Sequence, residues 1–415
     1  MTDRGTMAVA TLGARMHYAV PRELHARGAL SVFYTDLAFG STLGALGSRF
    51  ARGLGWKSLE RLAGRSPGLP QGCVRSFPGF GLSYARRLRR ATNDRERFEA
   101  YLWGGRRFCQ KVVENWVAGS IAVYTCNTAG LEILEWLARR RIPAAVEQTI
   151  VPRLQWQHIL LEADARFPGW STGELSANVT DLHYAERERE EWALARTVLV
   201  GSDFGRDQIA QDGGPVDKVR VVPYGVSVAH VVGGARHKWH SRAPVTALFV
   251  GAVNLRKGAP VLSAAARKLA PGLAKFRLVG PLDLPCAAKT ELGGVAELVG
   301  AVPGPRVSLE MSNADIFVFP SFCEGSATVC YEALAAGLPV VTTPNAGSVV
   351  RDTVDGFIVP AGDVEAFVAK VELLARDQDL RRAMSARARE RALEFTTEKY
   401  GDRLVSALSP LLETS

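Results

Sequence analysis

Short apolar, β-branched segments alternate along this chain with longer amphipathic ones, and that alternation constrains the fold more than any other feature. Strands are predicted at Ala8–Leu12, Ser31–Thr35, Ile121–Thr125, Ala144–Gln148, Thr197–Val200 and Val219–Pro223. A second series is predicted at Thr246–Val250, Phe276–Val279, Ala296–Val299, Asp315–Pro320, Pro339–Thr343 and Gly356–Val359. Helical patterns lie between them, among them Leu131–Arg141, Ala185–Ala195, Ala259–Ala270 and Val364–Arg376. A strand covered by helices on both faces reads as an unbroken apolar run, as these do. Strand–helix–strand alternation therefore implies parallel sheets, and two series imply two doubly wound α/β domains. The 415 residues fit that count at about 150 per domain.

The boundary is expected near PYGVSV, Pro223 to Val228. A polar, basic stretch without apolar period, Gly233–Arg242, follows before the next strand. The stretch Ala38–Asn115 shows no clear strand. It holds Gly/Pro turns and an arginine cluster: Arg86, Arg87, Arg89, Arg90, Arg95, Arg97, Arg106 and Arg107.

Lys plus Arg number 51 against 42 Asp plus Glu, a net charge of +9 that favours anionic partners without choosing among them. The arginine cluster reads first as a solvated helical face, next as a surface for anionic lipid or a phosphate-bearing acceptor. Nucleic acid comes last: Asp94, Glu96 and Glu99 interrupt the cluster, and no regular array of stacking aromatics accompanies it. The six cysteines form no C-x-x-C pair and read as reduced, mostly buried thiols of a cytoplasmic protein. Early charges at Asp3 and Arg4 argue against a signal peptide. The longest uncharged stretch, Asn115–Leu131, carries Ser120, Asn127, two Thr and two Gly, so membrane contact is expected to be peripheral at most.

The segment DIFVFPSFCEGSATVCYEALAAGLPVVTT, Asp315 to Thr343, carries the chemistry. A strand enters the loop Ser321–Gly325, a helix starts near Ser326 and ends at Gly337, and a second strand follows. Glu324 lies before the helix and Glu332 two turns into it. Helix-start amides can receive a phosphate, and carboxylates can accept hydrogen bonds from sugar hydroxyls. The pairing fits a nucleoside diphosphate sugar, although two Glu at this spacing are also what an ordinary solvated helix carries. In ALFVGAVNLRKGAPVL, Ala247 to Leu262, Arg256 and Lys257 stand at a strand's carboxyl end, where adjacent cations would neutralise a diphosphate.

Together these segments resemble the retaining glycosyltransferases of family 4, which have the GT-B fold of two Rossmann-like domains facing across a cleft. The Glu-x7-Glu hallmark is met by Glu324 and Glu332, and the strand–Gly–loop–Lys–Gly element by Gly251, Lys257 and Gly258. GAVP, SNADIFVFPS, DGFIVPAGD and VLVGSDF…VRVVPYGV extend the likeness over roughly Ala144 to the C-terminus. The resemblance implies an acceptor-binding domain over 1–226, a nucleotide-sugar domain over 227–394 and a closing helix over 395–415 that crosses back. It implies Glu332 at the ribose, Glu324 at the donor sugar and Arg256 with Lys257 at the diphosphate. Gly325, Ser326 and Ala327 would allow close backbone approach, and Val302 would meet the base. The partners implied are a UDP- or GDP-sugar and a glycan or glycolipid acceptor of cell-surface polysaccharide synthesis, with no metal and no cofactor.

Two positions depart from the pattern. Ala252 replaces an arginine, and Glu147, Gln148 and Thr149 stand where a histidine is common. Acceptor-side candidates are Gly13, Glu147, His17, which faces the cleft or is half buried, and His158, which sits ten residues past the strand. Asp377 and Asp379 form a D-x-D, but in a helix–helix turn where Asp379 reads as an N-cap. A non-catalytic nucleotide-sugar binder is the alternative from another class. No G-x-G-x-x-G follows the first strand, which argues against a dehydrogenase.

Overall fold

A computed structural model of the chain describes residues 5–38, 65–173, 175, 178–227 and 244–413. The polar stretch Gly233–Arg242 and part of Ala38–Asn115 lie outside the described residues.

The first sheet comprises β1 (Met7–Ala10), β2 (Leu30–Thr35), β3 (Val74–Ser76), β4 (Ala122–Cys126), β5 (Ala144–Gln148), β6 (Thr197–Val200) and β7 (Val219–Val221), ordered β3-β2-β1-β4-β5-β6-β7. The second comprises β8 (Val245–Val250), β9 (Ala274–Val279), β10 (Glu297–Gly300), β11 (Ile316–Phe319), β12 (Val340–Thr342) and β13 (Gly356–Ile358), ordered β10-β9-β8-β11-β12-β13. The pairings in both sheets are parallel, and β1, β4, β5, β6, β11 and β12 are fully buried, which is why most of them read as apolar runs. All twelve predicted strands are present within two residues at either end. The stretch predicted to lack strands does contain one, β3. It is a three-residue edge strand, V-R-S, only half buried, and too short to show a period.

The helices of the first domain are α1 (Ala19–Ala26), α2 (Pro78–Arg90), α3 (Asp94–Glu114), α4 (Leu131–Ala138), α5 (Arg153–Arg166), α6 (Val179–Leu194) and α7 (Asp203–Gln211). Those of the second are α8 (Ala259–Lys268), α9 (Cys286–Gly293), α10 (Gly304–Ser312), α11 (Thr328–Ala336), α12 (Val364–Arg376) and α13 (Gln378–Glu394). The turn between α12 and α13 falls at the D-x-D, but the cap is Asp377, not Asp379. Asp377 accepts from the Leu380 amide at 2.8 Å, whereas Asp379 is already inside the first turn and almost fully exposed.

A last helix, α14 (Thr397–Leu412), returns to the first domain. Tyr400, Leu404, Leu408 and Leu411 recur every three or four residues and bury one stripe. Arg27 at the end of α1 grips its start, donating to Asp402 Oδ1 and to the Glu398 carbonyl at 2.7 Å each. Arg403 donates to the carbonyls of Pro223 and Tyr224, and Val226 exchanges backbone hydrogen bonds with Phe395 and Thr397. One apolar cluster therefore runs unbroken from Val9 and Phe33 through Tyr224, Phe395 and Tyr400 to Phe317 and Val340.

Candidate active site

In an open parallel sheet, ligands bind outside the carboxyl ends of the strands where the strand order reverses. Those points are β8/β11 in the second sheet and β1/β4 in the first.

At β8/β11 the loops 251–258 and 320–327 meet. Gly258 adopts a φ of +81°, and a Cβ there would lie 2.1 Å from the Pro320 carbonyl oxygen, so only glycine lets the loops close. The Arg256 carbonyl accepts from the Phe322 amide at 2.8 Å and the Ser321 hydroxyl at 3.1 Å. This locks Arg256 and Lys257 beside Glu324. Glu324 Oε1 lies 2.7 Å from both Arg256 Nη1 and Lys257 Nζ. Arg256 also donates to the Cys323 carbonyl, and Lys257 lies 4.9 Å from the Phe319 ring centroid. Burial would raise the Glu324 pKa, but Arg256 and then Lys257 outweigh it and hold the carboxyl below the ordinary range.

Helix α11 starts at Thr328, two residues later than predicted, and Gly337 ends it as expected. No side chain caps its start, and the amides of Gly325, Ser326, Thr328 and Val329 carry no hydrogen bond. Free donors at a helix start are groups that can receive an anion. The Ala327 amide differs from expectation: it is committed to the Ala346 carbonyl at 2.9 Å. Glu332, half buried on α11, has neither hydrogen bond nor ion pair among the described residues, and burial pushes its pKa up. Its carboxylate therefore keeps its accepting capacity uncommitted. Gly251 ends β8 against the Lys257 side chain, and Val302 is half buried in the loop before α10.

The first domain closes over this loop. A Cβ on Gly325 would lie 2.3 Å from the Thr149 carbonyl oxygen, so the two chains touch at their backbones. Ser202, at the start of α7, donates to the Gly325 carbonyl, and Gly201 packs on Ser326. This loop is thus covered from one side by residues distant in sequence.

At β1/β4 lies a cavity of about 380 Å³, lined among others by Arg15, Met16, Tyr124, Glu147, Thr149 and Tyr224. Glu147 is buried and accepts from the hydroxyls of Tyr224, at 2.6 Å, and of Tyr124. Burial raises its pKa, against the Tyr224 hydrogen bond and the nearby Arg15. Arg15 Nη1 donates to Thr149 Oγ1 at 2.7 Å. Thr149 donates in turn to Asn127, and Asn127 donates to the buried Glu188. Met16, His17 and Tyr18 follow Arg15 with φ of 45°, 50° and 63°, a strained run of the kind that clusters at functional sites.

Of the other acceptor-side candidates, Gly13 donates its amide to Asp36 at 3.0 Å and lies beside the cavity loop. His17 is exposed and is not in the cavity lining, whereas Arg15 and Met16 are. His158 is exposed on α5 and pairs with Glu162 at 3.2 Å, one helical turn on; it does not reach the cavity. Arg15 was missed because its partner lies 134 residues away. The departure at Glu147–Thr149 was the available signal.

The corresponding helix start in the first domain is filled. Glu191, fully buried on α6, accepts from the amides of Thr128, Gly130 and Leu131 at 2.7–3.0 Å, at the head of α4. Among the described residues no group of three or more metal-ligating side chains comes together, and no helix is long and apolar enough to cross a membrane.

Residues 236–391 match the family described as "Glycosyl transferases group 1". A putative colanic acid biosynthesis glycosyltransferase, WcaL of Salmonella typhimurium, is 27% identical over 57% of this chain and 62% of its own length. The chain spans roughly half to three fifths of the length of such curated relatives. Sucrose-phosphate synthase of Thermosynechococcus elongatus superposes with a TM-score of 0.66 at 18% identity, covering 98% of this chain and 99% of the other. Anabaena Alr3699/HepE, solved with UDP and glucose, gives 0.62 at 15% identity over 97% of this chain and 100% of the other.

Proposed function

We propose that this chain, whose residues 236–391 match the glycosyl transferases group 1 family and whose two domains form a GT-B fold, transfers a sugar from a nucleotide-sugar to a saccharide or glycolipid hydroxyl. The observation that carries the reading is the second-domain site: four free amides, two cations bridged by Glu324, and the unpartnered Glu332. In this reading the diphosphate lies on the amides beside Arg256 and Lys257. Glu332 accepts the ribose hydroxyls and Glu324 those of the sugar. As the glycosidic bond breaks, charge builds on the diphosphate, and fixed cations stabilise that state more than the ground state.

The acceptor enters from the first domain, and its hydroxyl attacks the face the nucleotide leaves, retaining the anomeric configuration. The departing phosphate takes the proton. The two cations supply the neutralising charge, so no metal ion is needed. The donor is a UDP- or GDP-sugar, a choice supported by the neighbour bound to UDP and glucose. Polysaccharide synthesis is supported by the colanic acid relative. The exposed arginines of α2 and α3 suit peripheral contact with an anionic membrane at its cytoplasmic face.

The test combines binding with turnover. UDP- and GDP-sugars are screened for thermal stabilisation of wild type, Glu332→Ala and Lys257→Ala, then for nucleotide release with saccharide acceptors. One nucleotide should stabilise the wild type, and both variants should lose the shift. Absence of any shift in folded wild type overturns the donor site. Binding without turnover favours the non-catalytic alternative.

A further inference from the structure

The cavity at β1/β4 is lined by a guanidinium that is only partly engaged. Arg15 makes one hydrogen bond, through Nη1 to the neutral Thr149 hydroxyl, and no ion pair among the described residues. That bond fixes the guanidinium plane and leaves the Nε and Nη2 edge without a partner. Such an edge is a planar fork suited to two oxygens of one acid group. In the same cavity Glu147 is held between Tyr124 and Tyr224, and Met16, Val20, Pro21 and Ile150 supply an apolar wall. A volume of about 380 Å³ lies within the usual range for small-molecule sites, about 300–1,000 Å³.

We infer that this cavity receives the acceptor, and that the acceptor is an anionic saccharide whose acid group lies on the Arg15 fork while a hydroxyl reaches Glu147. The inference rests on the transfer reading above and adds the acceptor's chemical class. A neutral sugar would leave the free guanidinium edge without an acid group, since Glu147 acts on Arg15 without forming an ion pair. The donor's diphosphate is the other anion at hand, but its charge is already met by Arg256, Lys257 and four amides in the opposite domain. The strained run after Arg15 and the chain Arg15–Thr149–Asn127–Glu188 hold the guanidinium in place.

The test uses the full chain with UDP present. Glucose, glucuronate and glucose 6-phosphate are the probes, and binding is followed by saturation-transfer NMR. At least one acid sugar should bind ten-fold or more tighter than glucose. Preference for glucuronate assigns a uronic-type acceptor, and preference for glucose 6-phosphate a phosphorylated one; either supports the inference. R15Q should erase the preference and leave UDP affinity unchanged. R15K, which keeps the charge but loses the fork, should keep a small part of it. Thermal melts establish that both variants fold.

The inference is overturned if no acid sugar binds better than glucose, a result that includes no sugar binding at all. It is also overturned if R15Q weakens UDP and leaves the preference intact, because Arg15 then serves the donor. If wild type fails to bind UDP, the transfer reading itself falls, a separate outcome.

Discussion

Replacing Glu324 by Gln removes the one negative charge between two cations. At 2.7 Å and an effective dielectric of about 20, each pair has a gross attraction of about 6 kcal/mol, most of it offset by desolvation. The side chains of Glu324, Lys257 and Arg256 are 13%, 15% and 21% exposed, so water screens them little. Breaking a buried pair from one side costs about 3–5 kcal/mol. Here Arg256 keeps the Cys323 carbonyl and Lys257 keeps the Phe319 ring, which lowers the expected loss to about 1–3 kcal/mol. At about 2–4 °C per kcal/mol for a domain of 150–250 residues, the unliganded variant should melt roughly 2–12 °C lower at pH 7. Because its folded pKa is depressed, Glu324 contributes this stability above the unfolded carboxylate pKa and loses it as pH falls through the folded value. The gap between wild type and variant should therefore narrow in acid. Saturating UDP should stabilise E324Q more than wild type, since the diphosphate restores the missing negative charge, while sugar transfer is lost. The assay is differential scanning fluorimetry from about pH 2.5 to 8, with and without UDP, so that the scan spans the region below the ordinary carboxylate pKa. An unchanged unliganded melt, together with a smaller UDP shift in the variant, would refute the reasoning.

Gly325→Ala places a methyl group against the Thr149 carbonyl, so the domains should part: small-angle scattering should show a larger radius of gyration, and turnover should fall at least ten-fold. Leu408→Ala, in the buried stripe of α14, should lower stability by about 2–5 kcal/mol in urea unfolding. Arg86, Arg89, Arg90 and Arg106 are exposed and make no ion pair. Replacing all four by Gln should reduce cosedimentation with phosphatidylglycerol vesicles, and salt should do the same to wild type. Equal binding by the variant would remove that face as the contact.

The two sheets were readable in the sequence because strands buried on both faces cannot hide polar residues. The Glu324–Glu332 spacing was readable because one loop and one helix fix it. The three-residue β3 was not, since half-buried V-R-S has no pattern to follow. The cap at Asp377 was misjudged by two residues, the usual uncertainty where two acidic residues flank a turn. The cavity around Arg15 and the seam at Gly325 were invisible. Both depend on contacts between segments more than a hundred residues apart, and local propensity carries no trace of such contacts.

The carboxylate of Glu191, seated on the amides at the head of α4, has a consequence for stoichiometry. Twin Rossmann halves suggest two equivalent nucleotide berths. One is already taken by the protein's own side chain, and a diphosphate could use it only by expelling a buried charge. The symmetry of the architecture is thereby broken by a single residue. Titration should saturate at one nucleotide per chain, and the first half stays free for whatever is to receive the sugar.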